Sequence, residues 1–233
     1  PFDYTQDLAF IFIGSIAFAA SAATLWCLWT REYGALAGIA LDYMLIFVPL
    51  GIFSLQIANG NGKLLTLAAL TALGTLFGLV LFLHTRRIPI SSTPRLPTPV
   101  RIAFAIFIVA LIIVGGQLVL KVPNIVPWTV NTTGSVIYGW MFLGAAVYFI
   151  YALLRPSWGN AGGQLAGFLA YDVVLILPFL QRLPTVEPRF ALSLWIYTLV
   201  VAGSGILAAY YLFIHRETRI WRARRMAAQP AVG

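Results

Sequence analysis

Residues 101–120 read RIAFAIFIVALIIVGGQLVL. Arg101 opens the stretch as its one charged residue, and Gln117 is its one amide. About 20 mostly apolar residues suffice for a helix to cross the hydrocarbon core of a bilayer. A strand of a membrane barrel would alternate apolar and polar side chains over about ten residues. This run is continuous and twice as long. With no water in the bilayer to satisfy backbone groups, a helix is the structure that fits it.

Six further runs of the same kind lie at 8–30, 34–57, 64–85, 134–154, 161–182 and 190–214. Arg31-Glu32 ends the first, and Asn59 to Lys63 forms a turn after the second. The segment from Arg86 to Arg101 holds Pro89, Pro94, Pro97 and Pro99 and cannot continue a helix. Lys121-Val122-Pro123, Arg155-Pro156 and Arg182-Leu183-Pro184 stop the fourth, fifth and sixth. Of the 233 residues, 61% are apolar and 9% charged. A soluble domain carries roughly 25% charged residues, so the surface here belongs in lipid. Cys27 stands alone, which excludes a disulfide-stapled scaffold. The expected fold class is an all-α, polytopic bundle of seven transmembrane helices forming one domain over 1–233. The first run is too long, and its flanks too acidic, for a cleaved signal peptide. Pro1 fits either removal of an initiator Met or a trimmed start.

The charges set an orientation. With the N-terminus outside, Arg31, Arg86, Arg87, Arg95, Arg101, Arg155, Arg216, Arg219, Arg222, Arg224 and Arg225 all face the cytoplasm. Lys63, Lys121, Arg182 and Arg189 then face out, with Asp3, Asp7 and Glu187. Basic residues favour the cytoplasmic side, so the expectation is N-terminus out and C-terminus in, in the cell (plasma) membrane. The net charge of +8 is thereby accounted for by topology and by anionic lipid headgroups. The positives are scattered over inner loops and form no aromatic-studded basic face, so nucleic-acid binding is not expected. The tail residues Arg219, Trp221, Arg222, Arg224 and Arg225 are the densest cluster, suited to lipid headgroups or a partner subunit.

The second and sixth runs resemble each other. Leu36-Ala37-Gly38 lies thirteen residues before Pro49, and Leu165-Ala166-Gly167 thirteen before Pro178. Each carries an aspartate beside a tyrosine, Asp42-Tyr43 and Tyr171-Asp172. Leu81-Phe82-Leu83-His84 in the third answers Leu212-Phe213-Ile214-His215 in the seventh. Leu36 to His84 spans 48 residues and Leu165 to His215 spans 50. The expectation is two repeats, about 8–87 and 134–217, joined by a linker helix at 101–120. An odd linker makes the repeats parallel. This 3+1+3 plan resembles the SWEET sugar transporters and their PQ-loop relatives in topology. The second helix of each repeat has its proline, Pro49 or Pro178, but the first helices have none and the Pro-Gln dipeptide is absent. The resemblance implies a small-solute carrier. Seven helices with the N-terminus outside also resemble the microbial rhodopsins. Their retinal lysine has no counterpart, because Lys63 and Lys121 lie at span ends.

Asp42 and Asp172 lie roughly 12 and 15 Å from the inner ends of their helices, near the bilayer midplane. An aspartate there costs about 2.5–3.5 kcal/mol on insertion scales and is expected to face the bundle interior. Asp42, Tyr43, Tyr171 and Asp172 therefore form the candidate polar site, or else fasten helices by hydrogen bonds. Pro49 and Pro178 are candidate kinks. His84 and His215 sit beside arginines at inner helix ends, where positive charge is favoured; haem or pigment ligation is the sharper reading. Trp128 and Trp158, in loops, are expected as interfacial anchors. Asn131-Thr132-Thr133 fits a glycosylation acceptor.

No paired cysteines, His-x-x-x-His or Gly-rich phosphate loop is present, and the loops leave no room for a catalytic domain. No catalytic or metal-binding residue is expected. The function expected is a non-catalytic subunit of a photosynthetic or respiratory membrane complex, contacting lipid, quinone or pigment and other membrane subunits. The alternative is a small-solute carrier with a midplane aspartate pair.

Overall fold

The structure, a computed structural model, describes residues 4–91 and 94–220, with side chains from Leu8 onward. It is all-α. Seven long helices follow one another: α1 (Tyr4–Thr30), α2 (Leu36–Gln56), α3 (Gly62–Thr85), α4 (Thr98–Val119), α5 (Thr132–Leu154), α6 (Trp158–Arg182) and α7 (Pro188–Ala209). Each is long and apolar enough to cross a membrane, and no strand occurs among the described residues. A multi-pass membrane protein is the class these helices define. Trp221, Arg222, Arg224 and Arg225, expected at lipid headgroups or a partner, lie outside the described residues, as do Asp3 and the side chain of Asp7. Arg219 is described and exposed.

The helix ends are set by local chemistry. Asn131 accepts from Gly134 N at 2.7 Å, so α5 starts two residues before its apolar run. Ser157 likewise receives Asn160 N at 3.4 Å and starts α6 at Trp158. Arg31 and Lys121 close α1 and α4 in left-handed conformations, with φ of 59° and 62°. The amides that follow reach back five residues, Glu32 N to Cys27 O and Val122 N to Gln117 O, both at 2.9 Å. These are Schellman closures made without glycine. α2 and α6 run on through Pro49 and Pro178. α7 passes into a single π turn over Tyr210–Ile214.

In lipid, helices associate by close packing rather than by hydrophobic exclusion, so small residues mark the crossings. Gly115 of α4 meets Gly139 of α5: a Cβ at Gly139 would sit 2.8 Å from Gly115 O and 2.7 Å from Val119 N. Gly162 of α6 lies under Trp26 of α1, where a Cβ would be 2.5 Å from the indole. α2 packs on α3 and α5, and α6 on α1 and α7, while α1–α2 and α5–α6 barely touch. This neighbour pattern maps onto itself when α1, α2 and α3 are exchanged for α5, α6 and α7. α4 stands apart from it, packed on α5. α5 and α6 are the most interior, with 10 of 23 and 13 of 25 residues buried against 4 of 24 in α3 and 4 of 22 in α4.

Polar loops tie one end of the bundle together. Leu96 N donates to Pro156 O at 3.2 Å and Trp158 N to Pro94 O at 3.0 Å. The proline-rich segment after α3 is therefore docked on the α5–α6 turn. Glu32 accepts from Ser91 N at 3.0 Å and lies against Gly159 in the first turn of α6, where the helix dipole favours a carboxylate. Arg155 Nη2 donates to Arg86 O at 3.4 Å at the same end.

Two tryptophans depart from the expected interfacial belt. Trp128 is 1% exposed, with its ring 5.0 Å from Phe12 and at right angles to Tyr138. Trp158 is 2% exposed and edge-on to Trp26. The loop and turn that carry them fold inward, so both rings are core plugs at opposite ends of the bundle.

Candidate functional site: a central apolar cavity

A cavity of about 190 Å³ lies where α1, α2, α4, α5, α6 and α7 converge. Its walls are aliphatic and aromatic: Ile16 and Ala20 from α1, Ile39 and Ile46 from α2, Phe107 from α4, Phe142 and Ala145 from α5, Phe168 from α6 and Val200 from α7. The polar side chains lining it are few: Asp42, Tyr148, Gln164, Tyr171, Tyr197 and Ser204.

Among the described residues Asp42 is the single ionisable carboxyl in that wall. Its Oδ1 is pressed against Gly144 of α5, where a Cβ would overlap it. Among the described residues this oxygen meets no hydrogen-bond donor. The hydroxyls of Tyr148 and Tyr197 are buried and unpartnered among the described residues as well. The Ser204 hydroxyl donates to Val200 O at 2.8 Å. The Gln164 carboxamide donates to Tyr148 O at 3.4 Å in one orientation, or within its own helix to Asn160 O and Ala161 O in the other.

The four residues singled out on α2 and α6 divide between two surroundings. Asp42 and Tyr171 line the cavity. Asp172 is one residue further round α6, about 100° at 3.6 residues per turn. It is buried against α7, its Oδ2 3.4 Å from where a Cβ at Gly205 would lie, and neither of its oxygens finds a donor among the described residues. Tyr43 packs toward α3, its Cβ 3.6 Å from the Cβ position at Gly78. The cavity thus receives the residue six after Leu36 on α2 and six after Leu165 on α6. One of these is acidic and the other phenolic.

Each histidine is engaged at its own helix end. His84 Nδ1 lies 3.0 Å from Val80 O and is exposed. His215 Nδ1 lies 3.0 Å from Thr218 Oγ1, which donates to Tyr211 O at 2.7 Å. Among the described residues no three His, Cys, Asp or Glu gather as a metal site. Tyr148, Gln164, Tyr197 and Ser204 were not singled out from sequence, since a tyrosine, glutamine or serine in an apolar run carries no charge to mark it.

Fold and cavity together define a multi-pass α-helical membrane protein with an apolar cavity among its helices. Compared with protein families, with characterised proteins and with solved structures, the chain matches none.

Proposed function

We propose that this protein is a non-catalytic subunit of a larger energy-transducing membrane complex, photosynthetic or respiratory. In that role it packs against other helices and contacts lipid, quinone or pigment, while its central cavity holds a small molecule. The observation that carries the reading is the central cavity, almost wholly aliphatic and aromatic. Its size narrows the occupant. A cavity of about 150 Å³ holds a benzene ring, so 190 Å³ has room for a one-ring molecule. A larger pigment would rest on the outer apolar faces, such as the row Leu73, Leu76, Phe77 and Val80 on α3. We place the protein in the plasma membrane with its N-terminus outside. Arg31, Arg86, Arg95 and Arg155 belong to the loops that meet at one end of the bundle, which supports that end as the cytoplasmic one.

Extraction from native membranes in mild detergent tests the reading. Co-migration with a pigmented or haem-bearing complex is expected. A free monomer or dimer whose solute uptake fails in Asp42→Asn would overturn it. Orientation is tested separately. Cys27 is buried, so cysteines placed at Asn61 and Arg87 report sidedness against a silent background. An impermeant maleimide is expected to label Asn61→Cys in whole cells and to leave Arg87→Cys unlabelled.

A second reading, a small-solute carrier, draws on the exchange pattern of helix neighbours. If the halves are a duplicated 3+1+3 pair, the cavity lies at their junction, and alternating access would rock one half against the other around Asp42.

A further inference from the structure

We propose that the cavity binds a small protonatable amine on an aromatic or alicyclic body, with the amine nitrogen on Asp42. This rests on the reading that the cavity holds a small molecule, and it names that molecule's class.

The charge of the wall suits a cationic group. Among the described residues Asp42 is the one ionisable carboxyl in the wall, and no basic side chain lines the cavity. An ammonium carries donors and no acceptor. An anionic ligand would face the carboxyl with no cation to offset it. Charge balance points the same way. A carboxylic acid and an amine are net neutral as a pair whichever holds the proton, and an apolar cavity tolerates a neutral pair where it penalises a lone charge.

The remaining wall suits the body of such a molecule. Phe12, Phe142, Phe168, Tyr171 and Tyr197 surround the space, and their ring faces attract cations. The volume holds one ring and a short chain.

The test uses the purified full chain in lipid nanodiscs and three probes of one shape: phenethylammonium, propylbenzene as its uncharged counterpart, and propiophenone as a carbonyl acceptor. Binding is read by competition and by the shift in melting temperature. Phenethylammonium is expected to bind at least about tenfold more tightly than either neutral probe. Asp42→Asn is expected to erase that preference. Ala145→Phe, which fills the cavity, is expected to abolish binding of all three. Should Asp42→Asn fail to fold, the wild-type ratio and Ala145→Phe decide the matter. Equal or tighter binding of a neutral probe overturns the amine, while leaving a small-molecule cavity in place. Preference that survives Asp42→Asn, or amine binding that survives Ala145→Phe, puts the amine elsewhere and overturns the site. No binding of any probe overturns the inference too, and the co-migration result for the complex stands independently of it.

Discussion

Asp42 Oδ1 on α2 and Gly144 on α5 occupy one another's only space: a Cβ at Gly144 would overlap the carboxyl oxygen and lie 2.6 Å from Ile46 Cγ1. The carboxyl of the cavity wall is thus held by the absence of a side chain on the neighbouring helix. Gly144→Ala forces α2 and α5 apart or turns the carboxyl, at an overpacking cost of about 1–3 kcal/mol. Thermal unfolding in detergent checks this. Combined with Asp42→Ala, the loss is expected to be less than the sum of the single losses, because the second substitution removes the atom the first collides with.

Trp128 seals one end of the bundle against Phe12 and Tyr138. Trp128→Ala removes a fully buried indole and is expected to cost about 3–5 kcal/mol. Phe12 lines the cavity as well, so the same substitution opens the wall at that end. Faster association of small apolar probes, measured by stopped-flow quenching of the protein's fluorescence, is the expected kinetic sign.

Lys121 closes α4 at φ 62°, a conformation that costs an L residue about 1–2 kcal/mol and costs glycine little. Lys121→Gly keeps the Val122 N to Gln117 O closure and is expected to raise stability by about 1 kcal/mol, read as a higher melting temperature.

Asn131 caps α5 through Gly134 N. Asn131→Ala is expected to cost about 1 kcal/mol, and Asn131→Asp to retain most of the stability, since the carboxylate also accepts from the helix N-terminus. Loss of stability in Asn131→Asp equal to that in Asn131→Ala would contradict a capping role.

The seven helices were legible because residues 101–120 and their six counterparts are too long and continuous for any other element. Asp42 was legible for the same reason: a lone charge in an apolar run calls attention to itself. The division of Asp42 from Asp172 was not. It depends on a single residue of register, six against seven after the Leu-Ala-Gly start, which turns one carboxyl to the cavity and the other to α7. Trp128 and Trp158 have the sequence positions of a belt and the burial of a core. Position at a break between apolar runs says nothing of whether the chain there folds inward, and only the packing of Phe12, Tyr138 and Trp26 decides it. Glu32 looked like a helix stop, and its place at the start of α6 arises from contacts across 59 and more residues of chain.

Native mass spectrometry on the protein released from its own membrane in a lipid-preserving detergent tests the central claim most directly. The chain is expected within a larger assembly, carrying a small molecule that is lost in Ala145→Phe. A bare chain or homodimer with no bound small molecule would contradict it.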